Sequence, residues 1–127
     1  NLKNKNLSSF DQSENIIKIR NIKFISKVLN NIPPNNLKGI VDNYLVKETN
    51  CVTALLSVDG KKISLVVGVT NDLSHKINAI DLVKIGSSIF GGKGGGGRPT
   101  MAQSGGSDIN ATQKTIDGLV TYIKNLN

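Results

Sequence analysis

The sequence has few of the residues from which proteins build disulfides, metal centres and aromatic binding cages. It contains one cysteine, one histidine and no tryptophan, and aromatic residues make up 4% of its 127 positions. A single cysteine cannot form an internal disulfide, and Cys51 and His75 alone cannot complete a zinc site. These absences predict that the chain itself holds no metal or cofactor, and they favour a reducing, cytoplasmic setting.

Long apolar runs are absent as well. No stretch approaches the roughly 20 residues that a membrane-spanning helix requires, and the N-terminal segment lacks the apolar core of a secretory signal. We therefore predict no membrane association. Because the chain begins with Asn1 rather than methionine, we expect it to be a piece of a longer protein, with residues 1–15 as a flexible lead-in and residues 16–127 as a single domain.

Acidic residues are outnumbered by basic ones, 9 to 16, which gives a formal net charge of +7. A positive surface of this kind attracts nucleic acids. Lysine nevertheless outnumbers arginine 14 to 2, and abundant lysine, asparagine and isoleucine are also typical of AT-rich coding. The charge therefore permits RNA binding without establishing it.

The apolar pattern predicts an α/β domain in which a mixed β-sheet packs with three helices. Period-two alternation at residues 22–28 indicates a half-buried strand, and two further strands are expected at residues 51–58 and 63–69. Asp59 and Gly60 lie between those two strands and are typical of a tight hairpin turn. The expected order along the chain is strand, helix, strand, strand, helix, loop and helix.

Each predicted helix has a recognisable start and an apolar stripe. The first follows the prolines at 33–34, the second covers residues 79–90 behind a cap at Asn78, and the third follows Ser107-Asp108. The stripes are Leu37, Ile40, Val41, Tyr44 and Leu45 in the first helix, Leu82, Ile85, Gly86 and Ile89 in the second, and Ile109, Ile116, Leu119, Val120 and Ile123 in the third. The glycine on the second stripe predicts a close approach to a neighbouring element.

Between the last two helices we expect a glycine-rich loop that carries the chemistry. Residues 91–97 contain six of the chain's 13 glycines, and Lys93 and Arg98 add positive charge. Backbone N–H groups without neighbouring Cβ atoms can approach phosphates or sugars closely. The run is no P-loop, because Lys93 is followed by glycine, and it follows a helix where a dinucleotide-binding fingerprint would follow a strand. Nucleotide hydrolysis is therefore not predicted.

At this loop the sequence closely resembles a known family. Residues 91–106, which read GGKGGGGRPTMAQSGG, are similar to the glycine-rich motif near the C-terminus of alanyl-tRNA synthetases. The LVVGV segment at residues 65–69, the AIDLV helix start at residues 79–83 and the terminal helix agree in order and spacing. The resemblance covers residues 21–127. Thr100 stands where the family commonly has aspartate, and the glycine run is longer than the commonest form.

The resemblance implies a non-catalytic, tRNA-binding C-terminal domain of a larger alanine–tRNA ligase. In that family the domain engages the tRNA elbow and supports aminoacylation and editing by the full-length enzyme. The implied partners are tRNA(Ala) and the other domains of the parent, a class II synthetase that uses ATP and zinc outside this chain. Carried over by position, the nucleic-acid-binding residues are Gly91, Gly92, Lys93, Gly94, Gly95, Gly96, Gly97, Arg98 and Gln103, and no catalytic or metal-binding residue is expected.

Two other functions stay open from the sequence. A related lobe occurs in DHH-type phosphoesterases, although those proteins usually carry a histidine in or beside the glycine motif, and residues 90–108 contain none. The chain could also be an oligomerisation module that forms a homo-oligomer through a sheet edge or the terminal helix.

Five single side chains have both a structural and a functional interpretation. We expect Cys51 to be a buried structural thiol, because it opens an apolar strand. His75 is expected to be exposed, and Tyr44 and Tyr122 to pack in the core. Phe90, which ends a helix beside the loop, either packs in the core or stacks on a base or ribose.

Overall fold

The computed structural model describes residues 15–92 and 94–126. Within them the chain has six strands and three helices: β1 (Asn15–Ile19), β2 (Ile22–Asn30), α1 (Pro34–Lys47), β3 (Cys51–Asp59), β4 (Lys62–Val69), α2 (Ala79–Phe90), β5 (Gly95–Arg98), β6 (Met101–Gly106) and α3 (Thr112–Lys124). These strands form one sheet in the order β1-β2-β3-β4-β6-β5. β2 and β3 pair in parallel, and the other four pairs are antiparallel. The predicted fold class, a mixed sheet with three helices, is confirmed.

The centre of the sheet is the β3–β4 hairpin, which the sequence predicts closely. The first seven residues of β3 and most of β4 are buried. Such runs of buried valine and leucine are typical of strands covered on both faces. The turn lies at Gly60 and Lys61, slightly later than expected, because Asp59 still pairs with Lys62.

Helices cover both faces of this centre. α1 packs on the face that carries Leu55, Val66 and Met101, called here the α1 face. α2 and α3 pack on the opposite face, the α2/α3 face, over a larger cluster that includes Ala54 and Leu65. α1 is also the crossover that a parallel β2–β3 pair requires. None of the helices within residues 15–92 and 94–126 is long and apolar enough to cross a membrane.

α2 has the predicted bounds, cap and close approach. The side chain of Asn78 accepts a hydrogen bond from the N–H of Ile80 at 2.9 Å. A Cβ at Gly86 would lie 2.5 Å from Cδ2 of Leu65, a separation that real Cβ atoms do not show. α2 can pack this closely against β4 because position 86 has no side chain.

The strand at one edge of the sheet, β1, was not predicted. It pairs with β2 through a turn at Arg20 and Asn21, which have positive φ angles of 52° and 71°. Turns of this kind usually contain glycine, so the Arg-Asn pair gives a weak sequence signal. Asn15 was assigned to the flexible lead-in and is instead the first residue of β1. Residues 1–14 of that lead-in lie outside the described residues.

The predicted glycine-rich loop between the last two helices is largely a β-hairpin, formed by β5 and β6. Glycine has a low strand propensity and gives no alternation of apolar and polar side chains, so the sequence pattern indicated a loop. The last helix also begins later than expected, at Thr112. The carboxylate of Asp108 accepts a hydrogen bond from the N–H of Asn110 at 3.1 Å, in a turn that precedes the helix.

Candidate nucleic-acid interface

The glycine-rich hairpin lies at the outer edge of the sheet. β5 pairs with β6 on one side, with Gly96 opposite Gln103 and Arg98 opposite Met101. On its other side β5 has no partner among the described strands, and all four of its residues are exposed. In an edge strand, alternate backbone N–H and C=O groups point away from the sheet. This hairpin therefore presents main-chain donors and acceptors that side chains do not cover.

The start of the hairpin is fixed by Ser87, in the last turns of α2. Its carbonyl oxygen accepts hydrogen bonds from the N–H groups of Gly91 and Gly92, the second at 2.7 Å. Its Oγ accepts a hydrogen bond from the N–H of Gly94 at 2.6 Å. Ser87 is buried. Three of the amides that were expected to face an anion are thus already used inside the protein, and the exposed amides lie further along, in β5.

The far end of the hairpin is fixed by its turn. The carbonyl of Pro99 accepts a hydrogen bond from the N–H of Ala79, at the start of α2, at 2.9 Å. The carbonyl of Thr100 accepts one from the N–H of Val69, at the end of β4, at 2.8 Å. Both contacts are made by the main chain, so replacing the family's aspartate by threonine leaves them in place. The hairpin is therefore held along the whole length of α2.

Different structural features require glycine at different positions of this hairpin. Gly91 and Gly94 have positive φ angles of 77° and 91°, which other L residues rarely adopt. Gly95 and Gly97 lie so close to β6 that a Cβ would come within 2.5 Å of a backbone oxygen. At Gly96, by contrast, a Cβ would meet no atom within 4 Å, and φ is not positive. The fold thus explains most of the run and leaves Gly96 unexplained.

Relatives of known sequence identify the family. A profile of the DHHA1 domain family matches residues 21–125. The chain belongs to the DHHA1 domain family. It is homologous to alanine–tRNA ligases, with 46% identity over 99 residues to that of Paramagnetospirillum magneticum and 40% identity over 106 residues to that of Sinorhizobium medicae. These matches cover 78% and 83% of the chain, and the chain spans 11% and 12% of the length of the two ligases.

Solved structures share the fold of this DHHA1 domain. The C-Ala domain of alanyl-tRNA synthetase from Aquifex aeolicus matches with a TM-score of 0.84 and 24% identity, over 87% of this chain and 99% of that one. The DHH domain of a member of the s1p family of ribosomal proteins matches with a TM-score of 0.62 and 15% identity, over 93% of this chain and 29% of that one. A pGpG-specific phosphodiesterase from Vibrio cholerae matches with a TM-score of 0.57 and 16% identity, over 93% of this chain and 37% of that one. The resemblance to the C-terminal domain of alanyl-tRNA synthetases is confirmed.

The DHHA1 domain brings some of the predicted site residues together and separates others. Gly96, Arg98 and Gln103 are exposed and lie on neighbouring strands, on the α1 face of the sheet. Gly91, Gly92 and Gly94 lie at the other end of β5, beside the end of α2. Lys93 lies outside the described residues. Sequence reasoning missed Ser87, and its position on the inner side of an apolar helix just before the glycine run was the available signal.

Two of the single side chains have clear structural roles in the DHHA1 domain. Phe90 is fully buried in the cluster under α2, so it packs in the core and is not available to stack on a base. Cys51 is also fully buried, as predicted, with its Sγ 3.7 Å from Oγ1 of Thr53. Burial raises the pKa of the Cys51 thiol, and the Thr53 hydrogen bond opposes that rise. A protonated, enclosed thiol does not act as a nucleophile.

The other single side chains are at or near the surface. His75 is exposed, as predicted. Tyr122 is half-buried and packs against the larger core cluster, as predicted. Tyr44 is half-buried. Lys23 forms an ion pair of 2.9 Å with Glu48, which connects β2 to the end of α1. In the described part of the chain no three His, Cys, Asp or Glu side chains form a group that could hold a metal ion.

Proposed function

We propose that this DHHA1 domain binds tRNA(Ala) as the C-terminal domain of an alanine–tRNA ligase and performs no catalytic step itself. The observation that carries the proposal is its homology, at 40–46% identity, to proteins named alanine–tRNA ligase. The parent enzyme would join alanine to tRNA with ATP, and its zinc would lie in other domains. The domain's role would be to hold the tRNA while those domains act on it.

The exposed hairpin supports this role. Backbone donors at an edge without side chains suit the phosphates and sugars of a folded RNA, which is recognised more by shape than by sequence. Arg98 adds a planar, permanently charged donor beside them. The formal charge of +7 favours association with a polyanion. Lys93 and the β5 glycines, Gly95, Gly96 and Gly97, belong to the same proposed contact surface, whereas the N–H groups of Gly91, Gly92 and Gly94 bond to Ser87.

The proposal predicts salt-dependent binding of tRNA that weakens when Arg98 is removed. We expect Arg98→Ala to lower the affinity of the 127-residue chain for deacylated tRNA(Ala) about tenfold, because a charge-assisted hydrogen bond is lost. The slope of log affinity against log salt should fall by about 1, the value for one lost phosphate contact. Filter binding at several salt concentrations measures both quantities.

The matched control is Lys114→Ala, which removes an exposed positive charge from α3 on the opposite side of the sheet. Its affinity and salt slope should stay close to those of the wild type. A double variant, Lys93→Ala with Arg98→Ala, should bind more weakly than Arg98→Ala alone. Equal affinities for the wild type and this double variant would remove the hairpin from the binding surface.

Two rival functions make different predictions. The lobe of a DHH-type phosphoesterase requires an Asp-His-His motif in the same gene, whereas a synthetase requires the aminoacylation and editing motifs there. An oligomerisation module requires a sedimentation coefficient that rises with protein concentration, whereas a monomeric tRNA binder does not. Sequencing the gene upstream and sedimenting the free chain therefore discriminate among the three.

A further inference from the structure

The glycines of the β5–β6 hairpin divide according to the face of the sheet. On the α2/α3 side, a Cβ at Gly95, Gly97 or Gly106 would come within 2.6 Å of a neighbouring atom. On the α1 face, a Cβ at Gly96 would meet nothing within 4 Å, and one at Gly105 would meet only Ile63 O, at 3.3 Å. Neither Gly96 nor Gly105 has a positive φ. The fold therefore requires glycine on the α2/α3 side, whereas on the α1 face it leaves open space at Gly96 and a tight fit against one backbone oxygen at Gly105.

A strand glycine without a structural reason still destabilises its strand, because it loses more backbone freedom on folding than alanine and packs no side chain. Such glycines often mark a place where a ligand or another backbone approaches closely. Gly96 is such a glycine, and Gly105, where a Cβ would fit tightly against one backbone oxygen, lies on the same face of the paired strand. Their occurrence together indicates that a ligand approaches the main chain closely from the α1 side.

The surface around these two glycines is an open shelf, defined by Gly96, Arg98, Gln103, Gly105 and Ser64. α1 covers the inner part of the same face, where Val66 and Met101 are buried. It leaves the outer part uncovered, so Gly96, Arg98, Gln103 and Gly105 are exposed and Ser64 is half-buried. The shelf thus has a floor of small residues beside two long polar side chains.

The chemistry of the shelf fits a nucleic-acid backbone. None of its five members is acidic, and Arg98 supplies a positive charge. Gln103, directly opposite Gly96 in the ladder, offers an amide that both donates to and accepts from a ribose hydroxyl. An added peptide strand would instead pair along the outer edge of β5, in the plane of the sheet. The shelf faces out of that plane.

We propose that the ribose–phosphate backbone of the bound tRNA crosses the open shelf, with a ribose over Gly96 and Gly105 and a phosphate at Arg98. This inference rests on the proposed tRNA-binding function and specifies the face from which the RNA approaches. The two glycines allow the sugar to contact the main chain, and a side chain there would hold it away. Their role is therefore in binding, whereas that of Gly95 and Gly97 is in folding.

The test is to add side chains to the shelf without disturbing the fold. Gly96→Val should keep or raise the melting temperature, because valine favours strands and the space at position 96 is open. It should weaken binding of deacylated tRNA(Ala) at least tenfold. Gly105→Ala should weaken binding in the same direction but less, because alanine is smaller. Gly39→Ala, an exposed glycine of α1 with no atom within 4 Å, is the control and should leave the affinity unchanged.

The outcomes separate this inference from the proposed function. If the wild type binds tRNA and Arg98→Ala weakens binding, but Gly96→Val binds as tightly as the wild type, the shelf is wrong and the proposed function stands. If the wild type does not bind tRNA in a salt-dependent way, the proposed function itself fails. Displacement of tRNA by poly-glutamate at an equal concentration of charge would show that the surface recognises any polyanion, and would overturn the ribose contact.

Discussion

Two antiparallel hairpins of the same sheet, β3–β4 at the centre and β5–β6 at the edge, are built from opposite kinds of residue. The central hairpin consists mainly of valine, leucine and isoleucine, and helices cover both of its faces. The outer strand of the edge hairpin is Gly-Gly-Gly-Arg and is exposed throughout. The central hairpin is held by its side chains, whereas the outer strand of the edge hairpin is held by its main chain.

The difference shows how a domain can hold a surface in place without covering it. The edge hairpin is fixed from behind by Ser87, by the carbonyls of Pro99 and Thr100, and by the Oγ of Ser104, which donates to the carbonyl of Val83 at 2.9 Å. These contacts use its buried side and its ends. Its outer edge and the outer part of its α1 face stay exposed, whereas both faces of the central hairpin are buried in the core.

Removing a side chain from the central hairpin should have the largest effect on stability. Leu65 is fully buried beneath Gly86 of α2. Leu65→Ala should lower the free energy of unfolding by about 2–5 kcal/mol, through lost apolar burial and the cavity left behind. Urea denaturation measures this change. The control Val46→Ala alters a side chain that is 86% exposed and should change stability by less than about 0.5 kcal/mol.

A loss below 1 kcal/mol for Leu65→Ala would contradict the view that side-chain burial at the centre holds the domain together. Such a result would mean that the core collapses around the missing atoms or that stability resides elsewhere. Unchanged tRNA affinity of the folded Leu65→Ala variant is expected at a temperature well below its melting point, because the Leu65 side chain packs on the α2/α3 face, opposite the open shelf.

Removing the main contact behind the edge hairpin should have a smaller and local effect. Ser87→Ala deletes the Oγ that accepts the Gly94 N–H. Because water can replace this acceptor at an exposed amide, we expect a loss of about 1 kcal/mol, confined to opening of the hairpin. Amide hydrogen exchange should accelerate about fivefold in β5, the factor that corresponds to 1 kcal/mol, and stay unchanged in β3 and β4.

Ser88→Ala is the matched control, because Ser88 is the next residue, is exposed, and donates its hydroxyl proton to the carbonyl of Ile85 within α2. It should leave exchange in β5 unchanged. Equal acceleration in β3, β4 and β5 on Ser87→Ala would show that the two hairpins unfold together, and would remove the distinction between them.

The same contrast explains what could be predicted from the sequence. The centre of the sheet, α1 and α2 follow from the spacing of apolar side chains, and Gly86 was identified because it interrupts such a stripe. β5 carries no side-chain pattern, so its pairing with β6 could not be predicted from periodicity. β1 was missed for a related reason, because its turn at Arg20 and Asn21 adopts positive φ without glycine.

The segment predicted to bind RNA has a different geometry from the expected loop, because most of it forms two paired strands. The glycine composition and Arg98 indicated exposed backbone, and β5 is exposed. Composition could not show that Ser87 occupies the first amides of the run, nor that Phe90 turns into the core. Both depend on how the end of α2 packs on β6, which is a tertiary contact. Tertiary packing, not local sequence, decides which amides remain available.

The last expected effect concerns pH and lies in the central hairpin, where Cys51 opens β3. Burial raises the pKa of this thiol from its ordinary value of 9.0. As the pH rises past that value, the unfolded chain releases the thiol proton before the folded chain does, so stability falls. The stability that the thiol contributes is fully present below its pKa in the unfolded chain. It is lost as the pH rises through the higher pKa of the thiol in the folded chain.

The measurement compares wild type with Cys51→Ala by urea denaturation between pH 8 and pH 10.5. Loss of packing makes the variant less stable at every pH. The comparison therefore uses the slope of the unfolding free energy against pH rather than the free energy itself. The lysines are the same in both proteins, so their contribution to the pH dependence cancels in the comparison. The wild-type slope should be steeper above pH 9, by at most about 1.4 kcal/mol per pH unit, the limit for one proton. Equal pH dependence in the two proteins would mean that the thiol titrates alike in the folded and unfolded chains. The centre of the sheet would then be open to water, as only its edge is expected to be.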